Sequence, residues 1–226
     1  MQIDITNRPG NSAARVSLDA GETITAEGGA MIAMSGNVSV ETTTQKRDSG
    51  SILGALKRMV TGESFFLNHF TPSGEGGEVY FGTVMAGDMM EYQLDGPGLL
   101  VQGGSFVASA PSVNMDIQWQ GFGKSFFSGE SMFLIHLSGN GPIIFNSFGA
   151  IYPIQVNGEY IVDTGHIVAF EESLNYVIEK AGGSWLSAIM GGEGLVCKFQ
   201  GQGTVWCQSH NVGSFGKALG PMLKHQ

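Results

Sequence analysis

The chain has 226 residues, 35 of them glycine, with 14% charged residues and a formal net charge of −9. The 42% hydrophobic content supports a core and argues against disorder. The acidic balance lacks the basic footprint that a general nucleic-acid binder uses to neutralise phosphates. High glycine, few charges and scattered Val, Ile, Phe and Thr predict short strands joined by tight turns, at a length that suits one large all-β domain.

The opening MQIDITNRPG has no apolar run of the secretory type, and no stretch of eighteen apolar residues occurs. The expectation is a cytoplasmic protein, peripheral to a membrane at most. From Gly21 onward one pattern recurs. A first signature reads GETITAEGG from Gly21, GSFVASAPS from Gly104 and GHIVAFEES from Gly165. A second reads GESFFLNHF from Gly62, GESMFLIHL from Gly129 and GEGLVCKFQ from Gly192. Each copy of the second is a Gly-Glu turn before a β-rich run. The reading is an internal triplication, with units at about 1–85, 86–147 and 148–214 and a tail at 215–226.

The first unit is longer, and its extra segment carries Ile52, Leu53, Leu56, Met59 and Val60 at helical spacing, predicting a short amphipathic helix at 51–60. In the second unit, PSVNMDIQWQ places Val113, Met115, Ile117 and Trp119 at period two, which is strand spacing. Its counterpart EESLNYVIEK is therefore read as a strand over 173–180. SGNG at 138–141 and GQG at 201–203 are read as hairpin turns, since glycine supplies positive φ. SFGKALGPMLKHQ is a candidate C-terminal helix, limited by Pro221. The expected architecture is all-β: three pseudo-repeated units closing into a single barrel-like or prism-like domain, which would hide the strand edges.

The residues EGGAMIAMSGNV at 27–38, GALKRMVTGESFFLNHF at 54–70, GGSFVAS at 103–109 and FSGESMF at 127–133 carry a resemblance. The chain resembles the altered-inheritance-of-mitochondria protein twenty-four family over nearly its whole length. The resemblance implies a fold similar to the tryptophan-RNA-binding attenuation protein. Mitochondrial members are associated with inner-membrane organisation, and bacterial members have no assigned biochemical activity. It implies no catalytic residues. No mitochondrial presequence is visible, so that location is not expected here.

The candidate chemistry is sparse. GFGKS at 121–125 lacks the earlier glycine of a phosphate loop and sits between strands, so it reads as chance similarity. No G-x-S-x-G elbow occurs, and no catalytic set or cofactor is expected. His69 and His136 match Phe199 in the second signature, which suggests packing positions rather than metal ligands. Glu63, Glu130 and Glu193 are equivalent in all three units. Three carboxylates converging on one axis would hold a cation or raise each other's pKa; the blander reading has each accept turn amides or face water. Cys197 and Cys207 lie symmetrically about Gln202 and are expected to face each other across the last hairpin, where a disulfide is geometrically feasible but two free thiols suit a reducing cytosol.

The most informative feature is a set of apolar segments, each preceding its Gly-Glu turn. They carry Ile52, Leu53, Leu56 and Met59 in the first unit, Phe122, Phe126 and Phe127 in the second, and Trp185, Leu186, Ile189 and Met190 in the third. Leaving each in water instead of burying it forgoes about 1.5–3 kcal/mol. Three outcomes compete: a lid on the barrel end, a homo-oligomer interface, or insertion into a membrane surface helped by Lys57, Arg58 and Lys124. The function expected is a non-enzymatic scaffold or binding protein that self-associates and presents this apolar surface to a protein or membrane partner. The alternative is a small-ligand or metal-binding β-barrel, or an enzyme, centred on Glu63, Glu130 and Glu193.

Overall fold

Alternation sets the strands. In the strand Ala13–Leu18, Ala14, Val16 and Leu18 turn inward while Arg15 faces water. A computed structural model of the chain describes residues 1–44, 66–120, 132–180 and 195–223. They form β1 (Gln2–Thr6), β2 (Ala13–Leu18), β3 (Ile24–Glu27), β4 (Met31–Met34), β5 (Val38–Thr44), β6 (Phe66–Pro72), β7 (Gly77–Phe81), β8 (Met89–Leu94), β9 (Leu99–Gln102), β10 (Phe106–Ser109), β11 (Val113–Gln120), β12 (Met132–Gly139), β13 (Gly141–Asn146), β14 (Ile151–Asp163), β15 (Ile167–Glu171), β16 (Asn175–Lys180), β17 (Leu195–Gln208) and one helix, α1 (Val212–Leu219). The protein is mostly β, and EESLNYVIEK does contain a strand. The helix expected at 51–60 lies outside the described residues.

The ladders form three sheets, one of them curled into a half-barrel. The first has the order β1-β2-β7-β4. The second runs β5-β6-β3-β10-β13-β8, and the third β11-β12-β9-β15-β17-β14 with β16 also on β17. Every named ladder is antiparallel. Three apolar clusters fill the space between them. One gathers around Val16, Phe70 and Phe81, another around Phe106, Ile135 and Phe145, and the last around Phe170, Cys197 and Phe199.

Neither of the two expected hairpins forms. β12 pairs with β11 and β9, whereas β13 pairs with β10 and β8, so the chain changes sheet across Gly139–Gly141. At 201–203 there is no reversal: β17 runs unbroken through Gly201, whose φ is +124°. Its first half pairs with β16, its second half with β15, and β14 follows both. Positive φ at glycine is accommodated within a continuous strand as well as in a tight turn. Cys197 and Cys207 therefore do not face each other. They lie ten residues apart on one strand, roughly 30 Å at strand rise, and both are free and buried.

Local geometry also corrects two matches. A register shift falls between Met31 and Ala33 on β4, between Phe106 and Ala108 on β10, and between Ile167 and Ala169 on β15. Each is followed by the same reverse turn, with Val38 N–H donating to Ser35 O, Val113 N–H to Ala110 O and Leu174 N–H to Glu171 O. The segment that corresponds to Gly104 and Gly165 thus starts at Gly29, not Gly21. Likewise His69 opposes Thr25, His136 opposes Leu100 and Lys198 opposes Ile161. The residue matching the two histidines is Lys198; Phe199 matches the core residues Phe70 and Leu137.

Candidate functional site

The three apolar segments join the strands of three hairpins. β5 pairs with β6 from Val38↔Pro72 to Thr44↔Phe66, β11 with β12 from Val113↔Gly139 to Gln120↔Met132, and β16 with β17 from Asn175↔Gln200 to Lys180↔Leu195. Each hairpin is anchored by buried apolar residues on its return strand: Leu67 and Phe70, Leu134 and Leu137, Cys197 and Phe199. The connections themselves lie outside the described residues. They contain every residue singled out for the apolar surface (Ile52, Leu53, Leu56, Met59, Phe122, Phe126, Phe127, Trp185, Leu186, Ile189 and Met190) and the glutamates Glu63, Glu130 and Glu193.

On the described part of those hairpins His69, His136 and Lys198 are engaged with neighbours. His69 Nδ1 lies 2.9 Å from Thr25 Oγ1 and its Nε2 lies 2.8 Å from Thr43 Oγ1. His136 Nε2 lies 2.6 Å from Glu172 Oε2. The backbone at Gly98 and the His136 contact hold the Glu172 carboxyl below the usual carboxylate range. A Cβ at residue 98 would meet the Glu172 carboxylate and His136 Nε2, so a side chain there would displace this pair. Lys198 Nζ lies 2.9 Å from Glu159 Oε2. Among the described residues no three His, Cys, Asp or Glu side chains gather in a metal-binding group.

Two further carboxylates stand out. Asp88 is 2% exposed. It accepts a bidentate pair from Arg8 Nε and Nη2 at 2.8 Å each, Ser12 Oγ at 3.0 Å and the Met89 amide at 2.9 Å. Burial pushes its carboxyl up, but these donors outweigh burial and hold it below the usual range. This clamp ties the β1–β2 connection to the start of β8. Glu27, at the end of β3, has no such donors among the described residues, and burial pushes its carboxyl up to about 7. A cleft of about 470 Å³ opens beside β1 and β8, lined in part by Met1, Glu22, Glu91 and Pro142. There the terminal ammonium is already paired with Glu22 at 2.6 Å.

Exposed apolar residues missed by sequence reasoning lie on sheet edges and in α1. All four residues of β4 are exposed, as are Tyr160 and Ile161 of β14. On α1, Val212, Phe215 and Leu219 are exposed, although Phe215 stacks edge-on against Phe148 at 5.4 Å. MIAM on β4 is as apolar as the buried FVAS on β10 and IVAF on β15, so the residues alone carry no sign of its exposure.

These features define a mostly β protein of several antiparallel sheets in which three hairpins carry apolar connections, and no helix among the described residues is long and apolar enough to cross a membrane. The chain belongs to the family described as mitochondrial biogenesis AIM24, whose model matches residues 3–210. It is 29% identical over 209 residues to an uncharacterized protein of Streptococcus pyogenes serotype M6, covering 90% of this chain and 84% of that one. The crystal structure of a Streptococcus pyogenes protein from the Northeast Structural Genomics Consortium aligns with TM-score 0.81 at 26% identity, over 98% of this chain and 99% of that chain.

Proposed function

We propose that this protein is a non-catalytic β-scaffold that self-associates and presents its apolar hairpin connections to a protein or membrane partner. One observation carries the reading: each of the three apolar segments closes a hairpin whose register is held by buried side chains. Anchoring of that kind projects a connection from a rigid base, which is how binding loops are positioned in other folds. The recurring bulge, turn and hairpin support three pseudo-equivalent units in one body, and units so related would carry their connections to a common end. A contiguous apolar patch of that kind exceeds what soluble monomers usually expose. The acidic net charge favours a protein partner over an anionic bilayer.

The test is a Phe126→Ser/Trp185→Ser double variant, compared with the natural chain for pull-down of partners and for co-sedimentation with zwitterionic and anionic vesicles. Loss of one of these activities with unchanged thermal stability is expected. Unaltered binding in both assays contradicts the proposal.

A further inference from the structure

Neighbouring parts of the chain are joined twice by the same strand contact. β3 pairs with β10 through Ala26↔Ala108 and Thr25↔Ser109. β9 pairs with β15 through Val101↔Ala169 and Leu100↔Phe170. The corresponding positions also exist a third time. By the shared bulge and turn, Ala33 and Met34 of β4 stand where Ala108 and Ser109 stand on β10. By pairing opposite His69, His136 and Lys198, Ile161 of β14 stands where Thr25 and Leu100 stand. Yet among the described residues β4 pairs only with β7, and β14 only with β17; both are sheet edges there.

Burial marks the difference. Val107 and Val168, inside the two made contacts, are 1% and 0% exposed, and Thr25 and Leu100 are 4% and 5%. Their counterparts Ile32 and Ile161 are 60% and 53% exposed. Val107 sits in the cluster around Phe70, and Val168 in the cluster around Phe145, in each case the core of the preceding part of the chain. By the same relation Ile32 fits the remaining cluster, around Phe170 and Phe199.

We propose that β4 of one molecule adds to β14 of a second copy of this chain, with Ala33 opposite Val162 and Met34 opposite Ile161, and that Ile32 enters the second copy's last core. An exposed apolar edge is a template for strand addition, and backbone hydrogen bonds with alternate side chains in pockets supply affinity and register. The contact joins two different edges, so it is head-to-tail and leaves one open edge of each kind on a dimer. The inference locates the self-association of the preceding reading and rests on that part of it alone.

Light scattering after size exclusion tests it. The natural chain is expected to give multiples of 23.9 kDa. Ile32→Lys and Ile161→Lys, each an exposed position, are each expected to be monomeric alone. Mixed in equal amounts they are expected to form a dimer and stop there, because one intact edge of each kind remains. That recovery also shows both variants to be folded. A monomeric natural chain, a single variant that keeps the natural mass, or a mixture that stays monomeric overturns the proposal. Under it the Phe126→Ser/Trp185→Ser variant keeps the natural mass. If that variant alone dissociates, the interface lies at the hairpin connections: this inference fails and the scaffold reading survives.

Discussion

Cys197 and Cys207 occupy the two halves of one continuous strand, each buried against the same apolar cluster. Burial pushes their thiols up to about 12 and about 11. The thiolate is the reactive form, so neither is nucleophilic at neutral pH. Under native conditions labelling by a thiol-disulfide reagent is expected to be slow and limited by unfolding, and in denaturant both thiols should react at once. Rapid native labelling would show that the last core opens readily. Non-reducing peptide mapping is expected to find no Cys197–Cys207 bridge, since bridged Cα atoms sit about 5.5–6 Å apart.

Glu27 gives a pH dependence of definite sign. Its folded carboxyl titrates at about 7, above the ordinary 4.5. Between those values the folded state keeps a proton that the unfolded chain has released. The stability from this group is complete below the ordinary value and is lost as pH rises through about 7. Glu27→Gln is expected to raise stability at pH 8 relative to pH 5 by about 1–2 kcal/mol, allowing for partial solvent screening. Urea unfolding at the two pH values measures this, and an equal change at both would falsify the assignment.

The Arg8–Asp88 clamp predicts the opposite trend. Asp88 is held below its usual range, so its contribution is present above the ordinary carboxylate value and disappears as pH falls through the folded one. Arg8→Met removes two hydrogen bonds from a buried carboxylate. The expected cost is about 2 kcal/mol at pH 7, tempered because Arg8 itself is half exposed. Denaturation of the variant at pH 7 and near pH 3 checks it: the loss at pH 7 should shrink at the lower pH.

Removal of the C-terminal segment should be mild. No residue of α1 is buried, and its main anchors are the Asn211 cap on Ser214 N–H and the edge contact of Phe215 with Phe148. A chain ending at Asn211 is expected to lose about 1 kcal/mol or less, as typical for an exposed cap and one aromatic pair. By contrast Phe199→Ala, in the last core, is expected to cost about 3–5 kcal/mol. Thermal melts of the two distinguish a peripheral helix from an integral one.

What could be read from the residues alone follows the range of the physics. The period-two run Val113, Met115, Ile117 marks a strand because one face is buried, and comparison with it turned 173–180 from a helical reading to a strand, which the structure places at Asn175–Lys180. Glycine at 139, 141 and 201 was seen but misassigned, because positive φ says that the chain turns sharply and not whether it returns to its own sheet. The symmetry of Cys197 and Cys207 about Gln202 misled for the same reason. Edges were invisible: MIAM on β4 looks like FVAS on β10 and IVAF on β15, and only the missing neighbour strand makes one exposed and the others buried. The apolar connections were legible as composition, and their arrangement depends on residues outside those described.

The β14–β17 ladder runs from Ile151↔Gln208 to Asp163↔Val196 without a break, straight through Gly201 with its φ of +124°. By contrast β12 and β13, on either side of Gly139–Gly141, pair with different strands. Here both halves share one row of amides, so a force or a fluctuation that peels one end must travel the length of the row. In hydrogen exchange this staple should therefore behave as one cooperative block and be among the last parts of the molecule to give up its protons.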